Sequence, residues 1–183
     1  MSLPAVGSNV LLRDLTIDDA DQLDTWSADL QLRGEFNQFG HDSSPVNREA
    51  LAKGPFRGDR NGELIVERLA DGQPIGSVSW HRVAYGPNEG SAAWNIGISL
   101  IPTARGHGYG GEAHRLLADF LFATTALDRV EASTDVENVA EQRALEKGGF
   151  VREGLLRGAQ ERSGVRHDLV NYARLRSDPS GKI

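Results

Sequence analysis

Apolar residues recur along the chain in two rhythms. Ala113, Leu116, Leu117, Phe120 and Leu121 follow the i, i+3, i+4, i+7, i+8 spacing of an amphipathic helix that packs on a sheet. Thr16-Ile17-Asp18-Asp19 has the form of a helix start, with Thr16 as N-cap and an acid three residues on. Ala20, Leu23, Trp26 and Leu30 continue that helix at roughly helical spacing. Residues 138–147 predict a further helix closed by Gly148-Gly149, and residues 47–53 a short one. Seven strands are predicted, from Val10-Leu11-Leu12 and from residues 64–69, 74–83, 90–100, 129–136, 150–158 and 166–174. Asp71-Gly72 is a hairpin turn signal, so the strands between residues 64 and 100 form an antiparallel meander and not the opening of a βαβ unit. Residues 34–62 show no period and read as loops around the short helix. Residues 177–183 read as a frayed tail.

The 183 residues suit one domain spanning 1–183, long enough to bury a core without a metal or disulfide. The expected class is α+β, a central, mostly antiparallel twisted sheet of about seven strands flanked by helices. A net charge of −6 argues against nucleic acid as a partner. It would favour cationic substrates through the long-range field, or simply maintain solubility. With no cysteine, disulfides, thiolate metal sites and a cysteinyl nucleophile are excluded. The first residues lack a basic region followed by an apolar stretch, and no run of about 18 apolar residues occurs. The expectation is a cytoplasmic protein with no membrane partner.

Between a predicted strand and the amphipathic helix lies Arg105-Gly106-His107-Gly108-Tyr109-Gly110-Gly111. Glycines let a backbone approach a ligand closely, and the first helical turn offers unpaired N–H groups with a favourable dipole. Together these make a diphosphate site. A Walker A loop would end in Gly-Lys-Ser/Thr, whereas Glu112 follows here. Gly106-x-Gly108-x-x-Gly111 does fit a dinucleotide loop, and Glu131 lies 20 residues on. The preceding meander and the intervening residues 101–104 argue against it.

The segment from Leu100 to Gly110 resembles the strand-to-loop passage of the GNAT superfamily of N-acetyltransferases. Arg105, Gly108 and Gly110 fill that family's Gln/Arg-x-x-Gly-x-Gly/Ala pattern. Residues 135–150, with Asn138, Arg143, Lys147, Gly149 and Phe150, are similar to its second signature, especially in the branch of ribosomal-protein N-terminal (alanine/serine) acetyltransferases. Glu153-Gly154-Leu155-Leu156-Arg157 and Asp168 fit that branch as well. The resemblance implies the GNAT fold and acetyl-CoA as acyl donor, without a metal. It also implies direct attack by the primary amine of a small molecule or a protein N-terminus. Ile98, Ser99 and Leu100, the loop residues Arg105, Gly106, His107, Gly108, Tyr109, Gly110 and Gly111, and then Asn138 and Arg143 are the expected coenzyme contacts. A homodimer is the family-level expectation.

The chain departs from the family where protons move. Asn95 stands where a Glu often acts as base, and an amide cannot take a proton at neutral pH. Leu145 stands where a Tyr often protonates the leaving thiolate. Glu141 replaces a common Ser and reads as a capping-box partner of Asn138 or as a carboxylate for chemistry. His81 is the expected base by virtue of its ordinary pKa, with a structural histidine as the alternative; Asn95 would orient water, and Tyr109 is a fallback acid. Glu35, Phe36, Phe39, His41, Trp80 and Asp135 are the expected acceptor wall, with Phe36 and Phe39 equally suited to a core. His107 and His114 lack a third ligand at useful spacing, so no metal is expected. Two other functions remain open at this point: a catalytically weak acyl-CoA-binding module and a nucleotide-dependent oxidoreductase.

Overall fold

A computed structural model describes residues 2–38 and 45–179. Eight strands form one sheet: β1 (Ala5–Val6), β2 (Val10–Asp14), β3 (Asn61–Arg68), β4 (Gln73–Ala84), β5 (Ala92–Leu100), β6 (Arg129–Asp135), β7 (Val151–Arg162) and β8 (Val165–Leu175). Their order is β1-β2-β3-β4-β5-β6-β8-β7. The strand beyond the expected seven is β1, two residues long and paired with Leu11 and Leu12. Every pairing is antiparallel except that of β5 with β6.

The β5–β6 pairing fixes the site. It holds only at Trp94–Val130 and Asn95–Glu131. Beyond it, β5 runs on to Leu100 and β6 to Asp135, so the two strands part and leave a wedge-shaped opening inside the sheet. Helix α4 (Tyr109–Thr124) lies across one face. Its Leu116, Leu117, Phe120 and Leu121 pack with Leu12, Leu64, Val78, Trp94, Ile96 and Val130 in the main core. Burying each such leucine contributes roughly 1.5–3 kcal/mol. The opposite face carries Ile65, which meets Leu15 and Leu23 under α1 (Ala20–Ala28) and α3 (Arg48–Lys53). Buried on both faces, β3 reads as the continuous apolar run Leu64-Ile65-Val66.

The Thr16 start is present: Asp19 accepts the Thr16 N–H at 2.8 Å and its hydroxyl at 2.9 Å, closing a capping box. The helix does not continue through Leu30. Asp29 adopts an extended backbone (ψ 112°), and its carboxylate caps a new short helix, α2 (Leu30–Arg33), by accepting the N–H groups of Gln31 and Leu32. This self-capping breaks the helix and turns residues 33–37 towards the wedge. Trp80 is corrected from acceptor wall to core: it is 5% exposed, packs edge-on against Phe120, and lies directly over Gly62, where a Cβ would meet its ring at 2.2 Å. At the tail, Asp178 forms a hydrogen-bonded turn with Leu175.

Candidate active site

The parted strands enclose a cavity of about 410 Å³. One wall is residues 96–100 of β5, the other residues 132–135 of β6; the first turn of α5 (Val139–Lys147) and residues 33–37 close the ends. On β5, Trp94 and Ile96 point to the main core, which leaves Asn95, Gly97 and Ser99 to the other face.

Gly106 and Gly110 line the cavity, while residues 107–109 and Gly111 lie outside it. Gly108 is the N-cap of α4 with φ 86°, a left-handed backbone that costs other residues about 1–2 kcal/mol. With no side-chain cap there, the first-turn N–H groups remain available to an anion. Gly111 has a different reason: a Cβ would stand 3.1 Å from the Ala144 carbonyl and from Lys147 Cβ, so the glycine permits α4 and α5 to touch. Arg105 is a strap. Its Nε donates to the Leu100 carbonyl at 2.9 Å and its Nη2 to the Leu32 carbonyl at 2.5 Å, tying α2 to the end of β5. Burial pulls the Arg105 guanidinium below its ordinary pKa. His107 is exposed and stacks on Tyr109 with ring centroids 5.6 Å apart.

His81 and Tyr109, expected to move protons, and Asn95, expected to orient water, all lie off the cavity wall. His81 is exposed on β4, directly opposite Asn95. Tyr109 stacks with His107 outside the cavity. Two expected acceptor residues, Phe39 and His41, fall outside the described residues. Glu35, Phe36 and Asp135 do meet at the cavity. Asp135 is 3% exposed. Its Oδ1 accepts the Glu137 N–H at 2.8 Å, and its Oδ2 accepts from Arg162 Nη2. Arg162 also donates to the Glu35 carbonyl at 3.3 Å and stands 5.4 Å from the Phe36 ring centroid. Its Nη2 is 2.9 Å from His167 Nδ1. A guanidinium only donates, so Nδ1 accepts and the His167 hydrogen sits on Nε2.

Asn138 caps α5 by accepting the Glu141 N–H at 3.2 Å. The Glu141 side chain does not complete the box; it turns to His114 of α4, with Oε1 and Nε2 2.6 Å apart. Arg143 is exposed on the same helix, and Leu145 is core. Sequence reasoning missed Arg162 and His167, which sit in a hairpin with no marker of their role. It also missed the His114 pairing and Glu63. Burial pushes the Glu63 carboxyl above the ordinary range. It lies opposite Ser79, which lies opposite Gly97 of the wall. Among the described residues no cluster of three His, Asp or Glu could hold a metal, and no helix is long and apolar enough to cross a membrane.

A meander, an open strand pair and an uncapped helix N-terminus behind a glycine loop define the class of acyl-CoA-dependent N-acetyltransferases. Residues 9–151 match the family described as "Acetyltransferase (GNAT) domain", and the chain belongs to that family. The chain is 27% identical to "Probable N-acetyltransferase YjcK" of Bacillus subtilis, over 94% of this chain and 97% of the relative. It is 28% identical to "Putative ribosomal N-acetyltransferase YdaF" of the same organism, over 97% of each. The solved structure of Mycobacterium smegmatis RimJ in complex with CoA-disulfide shares the fold with a TM-score of 0.70 at 24% identity, covering 94% of this chain and 83% of that one. Membership of this family overturns the oxidoreductase alternative: the loop follows antiparallel strands and not a βαβ unit.

Proposed function

We propose that the protein transfers the acetyl group of acetyl-CoA to a primary amine, with the amino end of a protein chain as the leading acceptor. The observation that carries this is the parting of β5 from β6 after two residue pairs. It leaves backbone N–H and C=O groups along residues 96–99 without a strand partner on the β6 side, beside the glycine loop. An extended pantetheine arm has amides to match them. The first turn of α4 and residues 106–108 would hold the diphosphate, with Ile98, Ser99 and Leu100 along the arm, Asn138 beside it, and exposed Arg143 towards a phosphate. Arg105, itself part of the cavity lining, supports this site by fixing Leu100.

Catalysis then rests on placing the two reactants in the wedge and on backbone N–H groups of β5 facing the oxyanion. The acceptor enters past Glu35, Phe36 and Asp135, where the exposed Glu35 carboxylate suits an ammonium group and Asp135 is already paired with Arg162. The name of YdaF supports a protein N-terminus. His81 is not given the base's role, because a base must reach the proton it takes and His81 lies off the wall.

The test is thiol release from acetyl-CoA with Ala- and Ser-initiated peptides and with spermidine, beside thermal shifts with acetyl-CoA, coenzyme A and NAD. Stabilisation by acetyl-CoA and peptide-dependent release are expected. Release with spermidine alone would replace the protein acceptor by a polyamine. Binding without release on any amine would leave an acyl-CoA-binding module, a reading that draws on the off-wall positions of His81, Asn95 and Tyr109.

A further inference from the structure

Three carboxylates reach the cavity wall: Glu35, Asp135 and Glu141. The first belongs to an exposed residue. Asp135 has both oxygens engaged, one by a backbone N–H and one by Arg162. Glu141 is different. Its Oε1 is held by His114 and its Oε2 has no protein partner among the described residues. Its side chain is 23% exposed, whereas that of His114 is 0% exposed.

The buried partner fixes where hydrogen sits. A contact of 2.6 Å between Nε2 and Oε1 needs one hydrogen between them. His114 Nδ1 is buried with no protein partner. A hydrogen on Nδ1 would be an orphaned buried donor, which costs more than a bare acceptor lone pair. His114 is therefore neutral with hydrogen on Nε2, and it donates to the carboxylate of Glu141, a residue of the cavity lining. Phe150 packs edge-on against the ring, with centroids 6.1 Å apart.

The reaction needs such a group. When an amine adds to the thioester carbon, a C–N bond forms and the carbonyl π pair moves to oxygen, leaving a positive nitrogen that must lose a proton. Collapse re-forms C=O and breaks C–S, and the departing sulfur takes that electron pair and must gain a proton. Nitrogen and sulfur are bonded to one carbon, so one carboxylate beside it can serve both. We propose that Glu141 carries this proton from the acceptor nitrogen to the departing sulfur, with His114 as the positioning residue that holds it. The balance closes: amine and acetyl-CoA give amide and coenzyme A thiol, with Glu141 returned to its starting state. This rests on the acetyl-transfer reading above.

Other charged groups on the two helices are accounted for. Arg115 pairs with Asp119, which also binds Arg174; Glu112 accepts from residues 8 and 9; Arg143, Glu146 and Lys147 are exposed. Across the cavity stand Glu35 and the Asp135–Arg162–His167 cluster.

Two measurements decide. In the enzyme without ligand, 15N spectra of the histidines should show His114 as the neutral Nε2–H tautomer; an Nδ1–H or doubly protonated ring overturns the proposal. In steady-state kinetics with acetyl-CoA and an Ala-initiated peptide, Glu141→Gln should lower kcat by about 10²-fold. The KM for acetyl-CoA should be little changed. His114→Gln keeps an N–H donor and should retain most of kcat, whereas His114→Leu should approach Glu141→Gln. If the leucine variant does not fold, the other two decide. Wild-type turnover with Glu141→Gln equal to it in kcat overturns this proposal alone. Wild-type binding of acetyl-CoA with no turnover on any amine overturns both readings.

Discussion

Arg162→Met tests the acceptor wall. The Arg162 side chain is 8% exposed and that of Asp135 is 2%, so the pair is shielded from water. Methionine fills much of the space of the arginine stem but leaves the Asp135 carboxylate with only the Glu137 N–H and His167 nearby. It also removes the bond to the Glu35 carbonyl and the contact with Phe36. Removing one partner of a buried pair costs about 3–5 kcal/mol. Because the stem's packing is kept, the lower end, about 3 kcal/mol, is expected. At about 2–4 °C per kcal/mol for a chain of this size, Tm should fall by roughly 6–12 °C. Asp135→Asn should cost a similar amount, because it strands Arg162. The double variant strands neither charge and should lose little more than either single change, a coupling of about 2–3 kcal/mol. Urea unfolding followed by tryptophan fluorescence measures all four proteins. The same variants should raise the KM for the acceptor while leaving acetyl-CoA binding nearly unchanged, because the cluster touches residues 35 and 36 and not the glycine loop. Single costs that simply add, within about 0.5 kcal/mol, would refute the reasoning.

Glu63→Gln should stabilise the protein in a pH-dependent way. Burial raises the folded-state carboxyl above its unfolded value, so the folded state binds that proton more tightly and loses stability as pH rises through the interval between the two values. Melts should show no gain below the ordinary carboxyl range and a growing gain above it; an equal shift at every pH would contradict this. Gly108→Ala should cost about 1–2 kcal/mol from its left-handed backbone, since open space around the position rules out a clash, and should raise the KM for acetyl-CoA; an unchanged Tm would count against it. Arg105→Met should speed amide hydrogen exchange across residues 30–34 more than it weakens acetyl-CoA binding, and the reverse pattern would make Arg105 a ligand contact.

The fold was legible wherever a segment's own pattern decided its structure. The α4 stripe, the Asp71-Gly72 turn and the Thr16 capping box depend on neighbours along the chain, and each is present. The break at Asp29 was missed because Leu30 keeps the helical period while a single side chain caps the next helix. The glycine loop was legible as a loop, but not the division of labour within it: Gly108 supplies a backbone angle and Gly111 a helix contact with Ala144, which is distant in sequence. Trp80 was misplaced because strand alternation does not say which face is core. Arg162, His167 and the His114–Glu141 pair were invisible because each joins residues brought together only by the sheet or by the α4–α5 contact.

The open pairing between β5 and β6 has a consequence for how this protein can change over time. A site built from main-chain N–H and C=O groups stores its recognition in geometry that every residue but proline carries. Substitutions along residues 96–100 can alter apolar packing and still leave the same row of donors and acceptors. The donor half of the reaction is thereby insulated from sequence drift. In the acetyl-transfer reading proposed above, the acceptor half is written in the side chains of Glu35, Phe36, Asp135 and Arg162, and a few replacements there would redirect the chemistry to another amine.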